Sequence, residues 1–565
     1  MLCACIVTTT ALDGCAPVTT GTSTGSGGST SASGGSTQTG GTVGSGGVTG
    51  GGGRIGSGGS TASGGSPGTA GTIGTGGTTA SGGVTGSGGV TGRGGTMGSG
   101  GTTGTGGATG SAGTIGSGGT TGAGGASGSR GGSGGNGGSA TGGTAGSGPT
   151  GPCDIYQSGN TPCGAAHSTV RALYAAYTGP LYQVQRASDK STKDILVGSG
   201  GYADSSVQDS FCSGTSCTIP IIYDQSPNGN HLRVTWYAYW LQSGGNPATA
   251  NAAKINVGGH SVYGIKSGTN VAYRTGVALS GTAAINKGSS TVTFSSPQTL
   301  PANTPLLFAA NSKDCVANSW PNNCNFKVYP TAAAISAATT VTLTTSYTGT
   351  SSSSTVVWNQ STKGIATGDQ AEAMYSVFDG KTYSSWCCFD YGNSEMPGVD
   401  EGNATMEAIY WGADTQFGQS GGGSGPWVAA DLENGMYEGY ENGSSMVASN
   451  TSVTGFAYVT AMLKGLSAKD CPSGLTTSGC FALKAGNAAS GKLAFKFSAT
   501  TMNYGARPPG YSPQKKEGAI ILGTGGDGSN TGVGIWFEGA MTMGAPSDAT
   551  DDAVQANIVA AGYGH

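Results

Sequence analysis

From about residue 152 onward the chain is a succession of short apolar runs broken by Gly, Asn, Ser and Pro. The clearest are CTIPIIYD, HSVYGIKS, AEAMYSVFDG, ATMEAIYWG, PWVAADLE, AYVTAML, GAIILGTGG and GIWFEGAM. Runs of this length with turn residues between them predict the strands of an all-β sandwich or jelly roll. Helical spacing is confined to residues 166–177 (AHSTVRALYAAY) and 550–561 (TDDAVQANIVAA), each read as a short helix. Residues 281–362 stand apart in being rich in Thr, Ser, Val and Ala. They read as a small β insertion between the two halves of the main sandwich.

Residues 16–150 carry no such pattern. They are nearly all Gly, Ser, Thr and Ala, and Arg54, Arg93 and Arg130 are their only charges. A segment with so little to bury cannot offset the entropy of ordering, so it reads as a disordered linker. Its root-mean-square reach is on the order of 60 Å. Collagen's every-third-glycine register is absent. The GxGxxG matches here follow no strand and open no helix, so they say nothing about nucleotides. Residues 1–15 read as a leader. Leu2 to Leu12 could be part of a signal core, although no Lys or Arg precedes it. Leu12-Asp13-Gly14-Cys15 resembles a bacterial lipoprotein cleavage box, with Asp13 where a small residue is usual. Two readings stay open: lipidation at Cys15, or an ordinary cleaved leader.

Charge narrows the partners. Of 24 basic and 28 acidic residues, three of the former and one of the latter precede residue 152, so the remaining domain carries −6. With no basic stripe, nucleic acid is not an expected partner. No apolar run reaches the ~20 residues of a membrane-spanning helix, so membrane contact is expected only through a lipid on Cys15.

Three of thirteen cysteines lie in the leader and ten beyond it. The ten fall close together: Cys153 and Cys163, Cys212 and Cys217, Cys315 and Cys324, Cys471 and Cys480, and the adjacent Cys387 and Cys388. An even count in short loops points to an oxidised, extracytoplasmic protein, and local pairing is the simplest of many connectivities. Zinc would want histidines near such pairs, and His167, His231, His260 and His565 are not, so no metal is expected. Neighbouring Cα atoms are about 3.8 Å apart, closer than a disulfide usually spans. From the residues alone, Cys387 and Cys388 could bond to each other, bond elsewhere or stay reduced.

Two segments offer chemistry. In WVAADLE, alternation places Trp427, Ala429, Asp431 and Glu433 on one face and Val428, Ala430 and Leu432 on the core side. Two carboxylates and an indole on one face suit a sugar site, and close like charges raise one of the two pKa values. The alternative is a solvated polar face. In GAIILGTGGDGSN an apolar strand runs into glycines and then Asp527, either an acid projected from a strand end or an ordinary turn aspartate. There is no GxSxG elbow and no HExxH helix. Paired carboxylates are the usual equipment of glycosidases.

At these residues the chain resembles the catalytic domain of glycoside hydrolase family 54, the α-L-arabinofuranosidase B type. The matching blocks include GPCDIYQSGNTPCGAAHSTVRALY, IIYDQSPNGNHL, GDQAEAMYSVFDGKTY, CCFDYGNSE, MEAIYWG, GPWVAADLEN, KKEGAIILGTGGD and FEGAMTMGAPSDATDDAVQANIVAA. They cover nearly all of residues 151–563, apart from inserted segments. The resemblance implies a concanavalin-like β-sandwich in 151–565, with Glu433 of the D-x-E-N motif as nucleophile and Asp527 of the GGD motif as acid/base. It implies Asp431, Asn434 and Gly526 around the arabinose, a vicinal Cys387–Cys388 disulfide packed on the sugar, and Met406 as a sugar contact. Phe417 and Met436 stand where the family has tryptophan and leucine. The implied activity is retaining, exo-acting release of arabinofuranose from arabinoxylan, arabinan or related hemicellulose, with carboxyls about 5–5.5 Å apart and no cofactor. The expected partner is plant cell-wall polysaccharide or arabino-oligosaccharide. The expected protein is a monomer outside the cell or on its surface. The sequence stops at His565 without the family's C-terminal arabinose-binding trefoil domain, so tight anchoring to polymer is not expected unless the insertion at 281–362 substitutes for it. The rival readings are a non-catalytic carbohydrate-binding surface protein and a glycosidase for another furanoside such as galactofuranose.

Overall fold

The computed structural model describes residues 150–236, 244–310, 327–414, 425–437, 455–471, 479–493 and 503–565. Upstream it describes only the antiparallel pair Thr78–Gly82 and Thr85–Ser87, so the linker reading otherwise lies outside the described residues, as does Cys15.

Two antiparallel sheets form the body. In one, the strand Gly534–Met543 is central. Glu372–Asp379 flanks it on one side, with Cys163–Ser168 and Ile265–Ser267 on the other. Tyr458–Leu466, Cys480–Asn487 and Asn503–Ala506 continue outward from Glu372–Asp379. The other sheet runs Met436–Tyr437, Trp427–Asp431, Glu407–Gly412, Asp390–Ser394, Ala519–Leu522, Tyr273–Arg274, Leu232–Val234, Cys217–Ile222, Pro180–Arg186 and Thr192–Leu196, with Ala248–Thr249 beside Cys217–Ile222.

Alternation decides which side chains meet. Tyr391, Ile409, Trp411, Val428 and Ala430 from the second sheet share one buried cluster with Tyr375, Val377, Leu463 and Trp536 from the first. The Phe378 and Trp411 rings stack across the layers at 6.0 Å. Charges placed in this interior are paired, as desolvation demands. Lys516 Nζ lies 2.7 Å from Glu407 Oε2 and 3.0 Å from Glu372 Oε1, and Arg171 is bidentate on Glu538 at 2.7 Å. Packing of two sheets face to face makes the fold the all-β sandwich that the apolar runs predict.

One expected helix is absent. In the span 166–177 the chain instead completes the strand Cys163–Ser168 and then follows an irregular path. All six strand residues are buried against Gly534–Met543, and Arg171 turns inward to Glu538, so tertiary pairing overrides the local alanine-rich propensity. The other expected helix forms as Asp548–Ala560, capped by Ser547, whose side chain accepts from Thr550 N. Two seven-residue helices, Pro152–Ser158 and Ser205–Phe211, were not legible in the pattern.

The Thr/Ser-rich region forms two four-stranded sheets between Val277 and Asn359, around a core of their own that includes Phe294, Leu306, Phe308, Val341 and Tyr347. Disulfides join Cys153 to Cys163, Cys212 to Cys217, Cys471 to Cys480 and Cys387 to Cys388. Cys315, Cys324 and Phe417 lie outside the described residues.

Candidate active site

The strand Trp427–Asp431 sends Val428 and Ala430 into the sandwich core, while Ala429 packs with Tyr410 and Met436 on the opposite face. Asp431 shares that opposite face. The strand ends there, so strict alternation does not carry Glu433, and this corrects the four-residue face read from sequence. Glu433 and Asn434 adopt left-handed backbone, φ 64° and 57°. Asparagine tolerates that region; for glutamate it costs on the order of 1–3 kcal/mol and persists only where the surroundings impose it. Here they do. Glu433 N–H donates to Asp431 Oδ1 at 3.1 Å, Leu432 N–H to Gly435 O at 3.0 Å, and Ala404 N–H to Leu432 O at 2.9 Å. Asn434 Nδ2 donates to Asp400 Oδ1 at 2.9 Å, and the Tyr511 hydroxyl to Asn434 O at 2.9 Å. The turn therefore aims the Glu433 carboxyl by five hydrogen bonds.

The second acid arrives from the strand Ala519–Leu522. Beyond it the chain closes a tight loop, with Gly525 N–H donating to Ser529 O at 2.7 Å and Ser529 N–H to Asp527 Oδ1 at 2.7 Å. Asp527 thus makes the turn contact of an ordinary loop aspartate and is also 4% exposed within the acid cluster. Gly526 sits between carboxyls: a Cβ on it would collide with Oε2 of both Glu395 and Glu433. Arg274 Nη2 donates to Gly526 O at 2.7 Å and to Ser394 Oγ at 2.9 Å. Asp431, Glu433 and Asp527 are buried, which removes the solvated-face alternative.

Three further residues were not singled out from the sequence: Glu395, Asp390 and Arg274. Glu395 closes the CCFDYGNSE block, and Asp390 shares a strand face with Ser394, but neither looks unlike a surface acid in isolation. Glu395 Oε1 accepts from Thr405 Oγ1 at 2.8 Å. Its Oε2, and both oxygens of Asp390, are buried and meet no hydrogen-bond donor among the described residues. Glu395 faces the Glu433 carboxyl and Asp390 faces Asp431. A carboxyl–carboxyl contact is satisfied only by a proton between the two. Burial pushes Glu395 and Asp431 each up to about 7. Burial and then the Asp431 charge hold Asp390 well above the carboxylate range. Burial, then the charges of Glu395 and Asp527, do the same to Glu433. Asp527 is raised by burial, against the lowering effect of its Ser529 hydrogen bonds. Arg274, itself 2% exposed, supplies positive charge to Glu395, Glu433 and Asp527. So many acids in one dry site leave room for protonated and ionised members side by side, the condition for acid and nucleophile to coexist.

The disulfide borders this cluster. Cys388 Sγ lies 3.8 Å from Asp431 Oδ2 and 3.4 Å from Ser529 Oγ. Cys387 Sγ, Cys388 Sγ and an Asp431 oxygen lie within 4.8 Å of one another, but sulfurs bonded to each other cannot serve a metal as thiolates. Met406 is fully enclosed with Ala408 and Ile521, and Met436 is 4% exposed. Trp427, read as a stacking plane, is 3% exposed and offers no open face. The exposed indole beside the disulfide is Trp386.

The family described as α-L-arabinofuranosidase B, catalytic, matches residues 152–296 and 313–564. The chain belongs to that arabinofuranosidase family. Of residues 281–362, the family match omits only 297–312. α-L-Arabinofuranosidase B of Aspergillus oryzae is 41% identical over 420 residues, 73% of this chain and 62% of the relative. An arabinofuranosidase/B-xylosidase of Trichoderma koningii is 41% identical over 419 residues, with 73% and 63% covered. Among solved structures, a glycoside hydrolase family 54 α-L-arabinofuranosidase soaked with a cyclic sulfate inhibitor aligns with TM-score 0.51 and 37% identity over 73% of this chain and 66% of that one. An arabinofuranosidase complexed with arabinofuranosyl-α-1,2-xylobiose aligns with the same TM-score and coverage at 36% identity. This arabinofuranosidase-family chain spans about 62% of the length of the curated relatives it matches.

Proposed function

We propose that the chain is a retaining, exo-acting α-L-arabinofuranosidase that removes arabinofuranose side groups from plant polysaccharide. The observation that carries this is that Glu433 and Asp527, from separate turns, meet in one buried acid cluster, where a Cβ on Gly526, the residue before Asp527, would lie 2.7 Å from Glu433 Oε2. Asp527, protonated, donates to the glycosidic oxygen, and the bond to the anomeric carbon breaks. Glu433, ionised, attacks that carbon from the opposite side and forms an arabinosyl ester. Asp527, now a carboxylate, takes a proton from water, which displaces Glu433 with the original configuration restored. Asp431 and Asn434 hold sugar hydroxyls, and the Cys387–Cys388 disulfide supplies an apolar wall. Glu395 and Glu433 share a proton; for Glu433 to attack, that proton passes to Glu395, where it keeps the Glu395 carboxyl neutral and offers the Glu433 anion a hydrogen bond. The relative crystallised with arabinofuranosyl-α-1,2-xylobiose supports a side group on a xylan backbone as substrate.

The disulfides support an oxidising compartment, outside the cell or at its surface. In this reading residues 1–15 are a leader, with Cys15 as the lipidation site if a lipid is added, 16–150 a tether and 151–565 the catalytic unit, which acts as a monomer. The test is release of 4-nitrophenol from 4-nitrophenyl α-L-arabinofuranoside by wild type, Glu433→Ala and Asp527→Ala. Activity in wild type, abolished without Glu433 and cut steeply without Asp527, is the expected result. A folded wild type inactive on this and on the galactofuranoside analogue would sink the reading in favour of a binding module.

A further inference from the structure

A general acid must reach the oxygen of the departing group, so in the reaction proposed above the polymer lies on the Asp527 side of the sugar. Ser529 adjoins Asp527 through its N–H, and its hydroxyl lies 3.4 Å from Cys388 Sγ and 4.0 Å from Cys387 Sγ. The residue before that disulfide is Trp386, 58% exposed, and three residues earlier stands Tyr383, 42% exposed. Both rings ride on a pinned loop. Trp411 Nε1 donates to Thr382 O at 3.3 Å, Val533 N–H to Ser384 Oγ at 3.0 Å, and Ala413 N–H to Ser384 O at 2.8 Å. Thr531 Oγ1 donates to Cys387 O at 2.7 Å. Tyr383 stands edge-on to the buried Trp411 at 6.2 Å.

We propose that Trp386 and Tyr383 form a stacking subsite for the pyranose rings of the xylan-type backbone that carries the arabinofuranose. Tryptophan and tyrosine combine a broad apolar face with a polar edge, which matches a sugar ring's C–H face and rim of hydroxyls. Large aromatic rings left in water are the informative exception on a folded surface. Because hydrogen bonds already fix this loop, little ordering cost opposes binding. The inference rests on the proposed function, and it is the continuity from Asp527 through Ser529 and the disulfide to Trp386 that assigns these rings to the backbone side.

The test compares wild type, Trp386→Ala, Trp386→Phe and Tyr383→Ala on arabinoxylan and on 4-nitrophenyl α-L-arabinofuranoside. The ratio of kcat/KM on polymer to that on the aryl substrate is expected to fall about threefold to tenfold in Trp386→Ala, mostly through KM, and to recover in Trp386→Phe. Xylotriose titrated into Glu433→Ala protein is expected to change tryptophan fluorescence, and to lose that change when Trp386→Ala is added. An unchanged ratio, or equal losses on both substrates, overturns the subsite. If wild type cleaves neither substrate, the proposed function fails by itself. Xylotriose binding that depends on Trp386 would still uphold the subsite, and its absence would overturn it.

Discussion

At the scale of single residues, the site is governed by where protons can sit. Glu433 has Glu395 as its neighbour, and Glu395 Oε2 meets no donor among the described residues, so the pair titrates as a unit around a shared proton. Glu395→Leu should lower kcat about tenfold to a hundredfold, the loss of one hydrogen bond to a charged group, while Glu395→Gln, which keeps an N–H, should recover most of it. Steady-state kinetics at the pH optimum decide this; equal losses in both variants would contradict it. Gly526→Ala places a methyl against both carboxyls and should cost roughly a hundredfold in kcat/KM through misplacement alone. Glu433 and Asp527 were legible in the sequence because they sit in motifs. Glu395 and Asp390 were not, because their roles come from facing acids that sit 38 and 41 positions away along the chain.

At the scale of elements, period-two alternation was enough to place Trp427–Asp431, with Val428 and Ala430 inward. It failed one residue pair later. A left-handed glutamate cannot be read from composition, since it is imposed by the Asp431, Asp400 and Tyr511 contacts. The alanine-rich span after Cys163 misled in the other direction, towards a helix, because its pairing partner Gly534–Met543 is more than 360 residues away. The strand Glu407–Gly412 turns Glu407 inward, and Lys516 offsets both it and Glu372. Lys516→Met should therefore destabilise the fold by about 3–5 kcal/mol in urea unfolding, as for any buried pair that loses one partner. A change within about 0.5 kcal/mol would show that the pair is not held as described.

At the scale of the whole molecule, the fold class was readable from the apolar runs, whereas strand order was not. Asp390–Ser394 pairs with Ala519–Leu522 across a long sequence separation, and no local signal fixes such a choice. The acid cluster gives the molecule a pH dependence of definite sign. Glu372, Glu395 and Asp431 are pushed up to about 7, and Asp390, Glu433 and Asp527 are also raised, so between about pH 4 and 7 the folded chain binds more protons than the unfolded one. These groups stabilise fully below about pH 4, and that stability is lost as pH rises through about 7. Buried His167 and half-buried His231, the latter lowered to about 4, act in the opposite sense as pH falls, but they are outnumbered. Thermal unfolding should thus show Tm falling from about pH 5 to 7.5, with a shallower slope in Asp390→Asn; a Tm rising across that window would contradict the assignment.

The most direct measurement is mass spectrometry of Asp527→Ala protein after brief exposure to 4-nitrophenyl α-L-arabinofuranoside. That substrate needs little acid assistance to depart, so the first step proceeds while the second, deprived of its base, is slow. The account predicts a single pentosyl adduct on the peptide that contains Glu433. An adduct on another residue, or turnover with no adduct at all, would contradict it.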